Sequence, residues 1–493
     1  MNRPLTVAAI LLSMFLSAME ATVVSTAMPT VIAELHGIEL YGWVGAIYML
    51  ATTVTIPLWG KLADVAGRRP AMLAGIALFL VGSMASGLSR SMTTLVLMRA
   101  VQGLGAGSLQ TVSLTIIGDL FTVQERAKIQ GVFGAVWGVA GMIGPLVGGL
   151  IVTHASWRWV FYLNLPFGLL SAALLVMFYR EAQTRRPGAL SRVDWAGAAL
   201  LSTAIVSLLL GVGGRAWQLT IPLALALGVA FVLVERRAVD PLLPLGLLMR
   251  PVIRASAALG ALMGAVMMGT LMYVPLYVQA VERGTPTAAG SSIASMLVGW
   301  PIASAVSGRL IARLGYRPLV LAGTTAIAVG ATALSIFLGS GAVALTAVSF
   351  VLGVGMGLAN TSLLIAVQES VTRAERGVAT ATAMFSRTIG GALSVGALGG
   401  LLGAQLSGKV PPSVLDALVS HGHGASTSAH DAAYEAVIGA AMRPMFYVVT
   451  ALGVVSFAAG IAFPRVRPPE QASSDPAAPG AADEPPDALD HGV

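Results

Sequence analysis

Gly60-Lys-Leu-Ala-Asp-Val-Ala-Gly-Arg-Arg-Pro70 returns later in the chain as Gly308-Arg-Leu-Ile-Ala-Arg-Leu-Gly-Tyr-Arg-Pro318. Gly60, Leu62, Gly67, Arg69 and Pro70 recur in register as Gly308, Leu310, Gly315, Arg317 and Pro318, and Lys61 becomes Arg309. The correspondence continues downstream at a nearly constant offset. Gly103, Gly105 and Gly107 match Gly353, Gly355 and Gly357, while Asp119, Thr122, Glu125 and Arg126 match Glu369, Thr372, Glu375 and Arg376. A register kept over such a distance marks an internal repeat. Two parallel halves related about an axis along the membrane normal place a substrate cavity between them.

The chain around this repeat is built for lipid. It has 493 residues, 56% hydrophobic and 10% charged, with a mean hydropathy of +0.82; soluble domains carry roughly 25% charged residues. Apolar runs of about 20 residues suffice to cross a hydrocarbon core as helices. A first six are read at 6–33, 41–62, 70–88, 92–120, 127–153 and 159–179, and a second six at 252–280, 288–312, 319–339, 342–367, 377–404 and 445–463. Two more, at 195–212 and 217–234, fall outside the repeat and read as an insertion. The expected fold is thus an all-α membrane protein of fourteen spans. Its domains are a six-helix bundle (1–181), a basic linker with the two inserted helices (182–248), a second six-helix bundle (249–467) and a disordered acidic tail (468–493). Hydrophobicity at the N-terminus runs past Glu20 to Ile32, too long for the core of a cleavable signal, so it reads as a retained first helix.

The net charge of +7 is a topology signal. Placing both termini in the cytoplasm puts most of the 29 Lys and Arg residues on the cytoplasmic side, among them Arg68, Arg69, Arg180, Arg185, Arg186 and Arg192. That distribution leaves no basic face for nucleic acid. Cysteine is absent, which excludes disulfides, thiolate metal sites and cysteine nucleophiles. His421, His423 and His430 fall in a loop expected at 405–443, without carboxylates in ligand spacing, and read as solvated rather than as metal ligands. The spans hold no paired carboxylates, histidine sets or Ser-His arrangement for an enzyme.

Two charges lie inside the lipid-spanning runs of the first half. Glu20 is mid-span in helix 1, with Ser13 and Ser17 on its face, and an ionisable group at that depth is functional by default. Arg99 lies in helix 4, with Gln110 three turns on along nearly the same face. In helix 5, Gly134, Gly138, Gly141, Pro145 and Gly148 recur at spacings that line one face with small residues, as close helix packing requires. Tyr48, Gln110, Trp137, Tyr273, Tyr277, Trp300, Met384 and Arg387 are the residues whose chemistry suits a cavity for apolar or cationic ligands.

These stretches resemble the fourteen-helix drug:proton antiporters of the major facilitator superfamily. The likeness is carried by Glu20-Ala-Thr-Val-Val-Ser-Thr-Ala-Met-Pro29, Gly60 to Pro70, Arg99-Ala-Val-Gln-Gly-Leu-Gly-Ala-Gly107, Gly144-Pro-Leu-Val-Gly-Gly149 and Trp157-Arg-Trp-Val-Phe-Tyr-Leu-Asn-Leu-Pro166. The resemblance implies that Glu20, where the family usually has Asp, carries the proton and that Arg99 lies beside it. It also implies that Asp64 and Arg68, with Gly60, Gly67 and Asp119, hold the cytoplasmic face closed. Gly141, Gly144, Pro145 and Gly148 would form the antiporter signature of helix 5. The function so implied is proton-driven export of amphiphilic or cationic small molecules from the bacterial cytoplasmic membrane by a monomer, in contact with membrane lipid and without a cofactor. Alternatives are an exporter of one specific lipid, siderophore or metabolite, and a non-transporting receptor or scaffold.

Overall fold

The computed structural model describes residues 2–35, 41–181, 194–212, 216–238, 241–243, 245–282, 286–406, 409 and 429–465. The first group of helices is α1 (Arg3–Leu35), α2 (Tyr41–Ala66), α3 (Arg68–Gly87), α4 (Met92–Leu120), α5 (Val123–His154), α6 (Trp159–Tyr162) and α7 (Asn164–Phe178). Then come α8 (Trp195–Val212), α9 (Trp217–Glu235) and the short α10 (Leu245–Met249). The second group is α11 (Pro251–Ala280), α12 (Pro286–Leu314), α13 (Tyr316–Ile336), α14 (Ala342–Glu369), α15 (Arg376–Leu406) and α16 (Ala429–Ile461). No strand occurs among the described residues.

Twelve of the described helices, counting α6 and α7 as one span, are long and apolar enough to cross a membrane. The two remaining long helices, α4 and α5, have 29 and 32 residues. α4 carries Arg99, Gln102, Gln110 and Asp119 among many glycines, so length rather than apolarity suits it to a span.

The repeat is visible in how each inner helix packs. Gly105 of α4 faces α3, where a Cβ would come within 2.6 Å of Gly75 O, while Gly103 and Gly107 face α2. In the second half Gly355 of α14 faces α13, within 2.7 Å of Gly323 O, while Gly353 and Gly357 face α12. Backbones approach this closely only where no side chain intervenes. The tight turns repeat too: Gly67 and Gly315, one before α3 and one before α13, have φ of 100° and 78°, a region that favours glycine. Thr122 and Thr372 each form a capping box with the Glu three residues on, Glu125 and Glu375.

α8 and α9 pair with each other, Gly211 lying against Thr220 and Ile221, and α8 borders both α2 and α15. Two expected boundaries move. The span expected at 159–179 is interrupted at Leu163, between α6 and α7. The last helix starts at Ala429 rather than at 445, so the expected loop at 405–443 is helical at both ends. Pro444 lies inside that helix; lipid-spanning helices absorb an internal Pro by local readjustment, so it is a poor start signal. His421 and His423 and the expected tail at 468–493 lie outside the described residues, as does the side chain of His430.

Candidate functional site

In the first half, α1 delivers Glu20 into the bundle, 2% exposed, and α4 delivers Arg99, also 2% exposed. Arg99 Nη1 pairs with Glu20 Oε1. The other carboxylate oxygen accepts from Asn164 Nδ2 at 2.6 Å, and Asn164 in turn donates to Ser83 Oγ at 2.9 Å. Arg99 also donates to Gln102 Oε1 at 2.7 Å and to the backbone oxygen of Val44 at 3.3 Å. Its guanidinium lies 4.3 Å from the centroid of the Tyr48 ring, a cation–π distance. A buried pair is tolerable only when its remaining donors and lone pairs are filled, and here α2, α3, α4 and α7 fill them. Three and seven residues before Glu20 along α1, the same face continues: Gln110 donates to Ser17 Oγ at 3.2 Å, and the hydroxyls of Ser13 and Ser171 lie 2.6 Å apart.

Asn164, Gln102 and Ser83 are partners that sequence reasoning did not single out. Asn164 sits where the span breaks between α6 and α7, a polar side chain two residues before Pro166 in an apolar run. That placement was the available signal.

A second polar cluster joins the halves at the end of the bundle that holds Gly67. Asp119, its side chain 1% exposed, accepts from Arg68 Nε at 3.0 Å and from Arg376 Nη1 at 3.1 Å, with Arg373 Nε at 3.9 Å. Arg126 Nη1 lies 2.6 Å from Glu369 Oε1. The matched residues of the repeat thus pair crosswise, each half's Arg on the other half's acid. Asp64 binds Arg68 at 2.8 Å and accepts from the backbone N–H groups of Gly377 and Val378, at 2.9 and 2.7 Å. These two amides open α15, and a carboxylate suits a helix N-terminus. Arg68 Nη2 also donates to Arg373 O at 2.7 Å. Gln368 donates across the interface to Leu114 O at 3.2 Å. Gly60 lies against α15, where a Cβ would clash with Ala381 and come within 2.9 Å of Gly377 O. Behind Gly67, the Glu181 carboxylate accepts from the N–H groups of Arg68 and Arg69 at 2.7 and 3.2 Å. Glu181, Arg373 and Gln368 were not expected; each acts through backbone or across halves, which spacing alone does not reveal.

In the first half of α5 the glycines face α12. A Cβ on Gly134 would meet Pro301 Cγ at 2.7 Å, and one on Gly131 would meet Pro301 O at 3.0 Å. Gly144 and Gly148 are buried further along. Gly141 and Pro145 lie within α5, but their surroundings are outside the described residues.

The residues expected around a cavity divide in two. Tyr48, Tyr273 and Tyr277 are buried in helix packing. Tyr48 lies under Arg99, the Tyr273 hydroxyl donates to Val395 O at 2.8 Å, and Tyr277 meets Phe446 edge-on at 5.9 Å. Gln110, Trp137, Trp300 and Arg387 are half-buried, and Met384 is buried beside Arg387. No group of three or more His, Cys, Asp or Glu residues among those described is placed to hold a metal ion.

A two-half helical bundle with a buried ion pair in one half is the build of a membrane transporter, and the chain belongs to the Major Facilitator Superfamily, whose family model matches residues 10–395. Among curated proteins it is 35% identical over 431 residues to the multidrug transporter protein MdtP of Bacillus subtilis, covering 85% of this chain and 79% of that one. It is 33% identical over 432 residues to multidrug resistance protein 3 of the same organism, covering 86% and 84%. Solved structures of like fold include the human organic anion transporter MFSD10, with TM-score 0.63 and 15% identity over 93% of this chain and all of that one. Another is the proton:xylose symporter XylE, with TM-score 0.61 and 16% identity over 92% and 94%. The protein is a multi-pass membrane transporter and not an enzyme.

Proposed function

We propose that the chain is a proton-coupled exporter of amphiphilic small molecules, working as a monomer by alternating access in the bacterial cytoplasmic membrane. In this reading α4 and α5 complete fourteen spans, both termini are cytoplasmic, and the Gly67 end of the bundle is the cytoplasmic face. The observation that carries it is the buried Glu20–Arg99 pair, completed by Asn164. The ionised carboxylate there ties α1 to α4 and α7. Protonation removes the charge that Arg99 answers, and leaves the guanidinium to seek other acceptors.

Two rigid elements transmit that change. α4 carries Arg99 at one level and Asp119 twenty residues on, about 30 Å along a helix. α2 carries Val44 and Tyr48 beside Arg99, and Gly60 and Asp64 at the interface with α15. A shift in either helix at the ion pair therefore bears on the cross-half cluster. With that cluster formed, the cytoplasmic face is closed and the conformation is the outward-facing one. Opening requires Asp64, Asp119 and Glu369 to give up their partners in the other half together. The likeness to multidrug transporters supports export of amphiphiles as the direction and cargo, and the transmembrane proton gradient is the sole energy source.

Purified protein in liposomes tests the reading: adding an amphiphilic substrate should drive protons across the membrane in the opposite direction. Substrate movement with no accompanying proton flux, and no response to a collapsed pH gradient, would contradict it.

A further inference from the structure

Arg387 is a cation that the proton-coupling and closure clusters do not use. It projects from α15, its Nη1 donates to Asn360 Oδ1 on α14 at 3.1 Å, and its Nη2 approaches Met384 Sδ at 3.6 Å. Its guanidinium carbon lies 5.9 Å from the Trp300 ring centroid on α12. No carboxylate among the described residues pairs with it, in contrast to Arg99, Arg68, Arg126 and Arg376.

Its direction follows from the helix order. α15 borders α2 through Gly60 and Ala381, and α12 borders α5 through Pro301 and Gly134. α15 and α12 therefore both border the first bundle, as α14 does through Gln368 and Glu369. A side chain that starts on α15, is held by α14 and reaches toward α12 lies across the face that the second bundle turns to the first. Arg387, Asn360 and Trp300 are half-buried there, so the surface remains open.

A guanidinium has five N–H donors. Asn360 takes one and a thioether sulfur is a weak acceptor, so the fork that binds acids in bidentate fashion is left unfilled among the described residues. Holding an unanswered charge at membrane depth is expensive, and such residues mark substrate pathways. Glu20 cannot compensate it, since Arg99 and Asn164 already occupy its two oxygens.

We propose that Arg387 seats an acidic group, a carboxylate or sulfonate, of an amphiphilic substrate whose apolar body lies along Trp300 and Met384. The proposal rests on the transporter reading above and narrows its cargo: a cationic head would be repelled at this seat. Asn360 is the positioning residue, fixing the guanidinium while accepting only one of its protons.

The test is calorimetric binding to the full chain in lipid nanodiscs, with naphthylacetate and naphthylethylammonium as matched probes of opposite charge. Wild type should bind the acetate more tightly than the ammonium. Arg387→Gln should weaken the acetate by roughly tenfold to a hundredfold, as loss of a charged hydrogen-bonding partner does, and should not weaken the ammonium. Arg387→Lys should retain part of the affinity. Asn360→Asp, which supplies an internal counter-ion and keeps the arginine, should also weaken acetate binding, so the result does not depend on one variant folding. Equal or tighter binding of the ammonium, unchanged acetate affinity in Arg387→Gln, or no acetate binding at millimolar concentration overturns the proposal. Binding in nanodiscs needs no proton gradient, so it is read on the wild-type protein whether or not the liposome assay detects proton flux. Failure of proton coupling and failure of this seat are thereby read separately.

Discussion

Arg126 Nη1 lies 2.6 Å from Glu369 Oε1, and the residues that match them in the repeat, Arg376 and Asp119, pair at 3.1 Å in the reverse sense. Each half thus offers the other an acid at the end of its inner helix and an arginine seven residues on. One repeated motif closes the interface twice, and Asp64 adds a third link by capping α15, where its counterpart in the second half is Ala312. The closure is therefore strongest around Asp119, which three arginines approach.

Replacing Asp119 with Asn should loosen that face. The native chain has no cysteine, so a single Thr380→Cys places the only thiol at a fully buried position in the interface, beside Gln368. In otherwise native protein a membrane-impermeant maleimide should react slowly with it from the side that the Asp119 cluster closes. With Asp119→Asn the labelling rate should rise about tenfold or more, the equivalent of 1.4 kcal/mol in the closed–open balance. Equal rates would mean that the arginine cluster does not hold the face shut.

Gly60→Val should have the same consequence by a steric route. The added carbons would press on Ala381 and the Gly377 backbone, forcing α2 from α15. Gly67→Ala acts differently: at φ 100° and ψ 151° it strains the turn, costing about 1–3 kcal/mol, and it crowds the Glu181 carboxylate. Thermal melting should fall in the Gly67 variant, while in the Gly60 variant the Thr380→Cys labelling rate should rise more than stability falls.

The Glu20–Arg99 pair makes a prediction about non-additivity. Removing one member strands a buried charge, at a cost of about 3–5 kcal/mol, whereas removing both does not. Glu20→Gln with Arg99→Gln should therefore melt above Arg99→Gln or Glu20→Gln alone. A double variant whose loss is the sum of the singles would place the two residues in separate environments.

At the opposite end of α1, just past the first span, Glu34 accepts from Arg158 at 2.6 Å and from the Trp157 indole at 2.7 Å. The Arg158 bond, then that of Trp157, holds its carboxyl below the ordinary value of 4.5. A carboxyl lowered by folding stabilises the native state above its ordinary value and loses that contribution as pH falls through the lowered one. Wild type should lose more melting temperature than Glu34→Gln on acidification below about pH 4.5, by a small margin, since both side chains are solvent-screened. Identical acid profiles would mean that the Glu34–Arg158 interaction does not stabilise the native state.

Much of this was legible in the chain because lipid imposes length and charge rules. The spans, the repeat and the two intramembrane charges of the first half follow from apolar runs and from Glu20 and Arg99 interrupting them. The cavity was harder to read. A helix in lipid is apolar on its outer face as well as its packed one, so periodicity does not separate them. Tyr48, Tyr273 and Tyr277 accordingly proved to be packed, while Arg387 and Trp300 stayed half-open. The role of Asn164, marked only by its place in an apolar run, and that of Glu181 escaped for another reason: each is defined by a partner over a hundred residues away, the carboxylate of Glu20 in one case and the N-terminus of α3 in the other.

Proton-driven efflux from everted membrane vesicles tests most directly whether Glu20 carries the coupled proton. With an amphiphilic fluorescent substrate and an imposed pH gradient, wild type should transport and Glu20→Gln should lose gradient-dependent transport while still folding and binding substrate. Full gradient-dependent transport by Glu20→Gln would contradict that role.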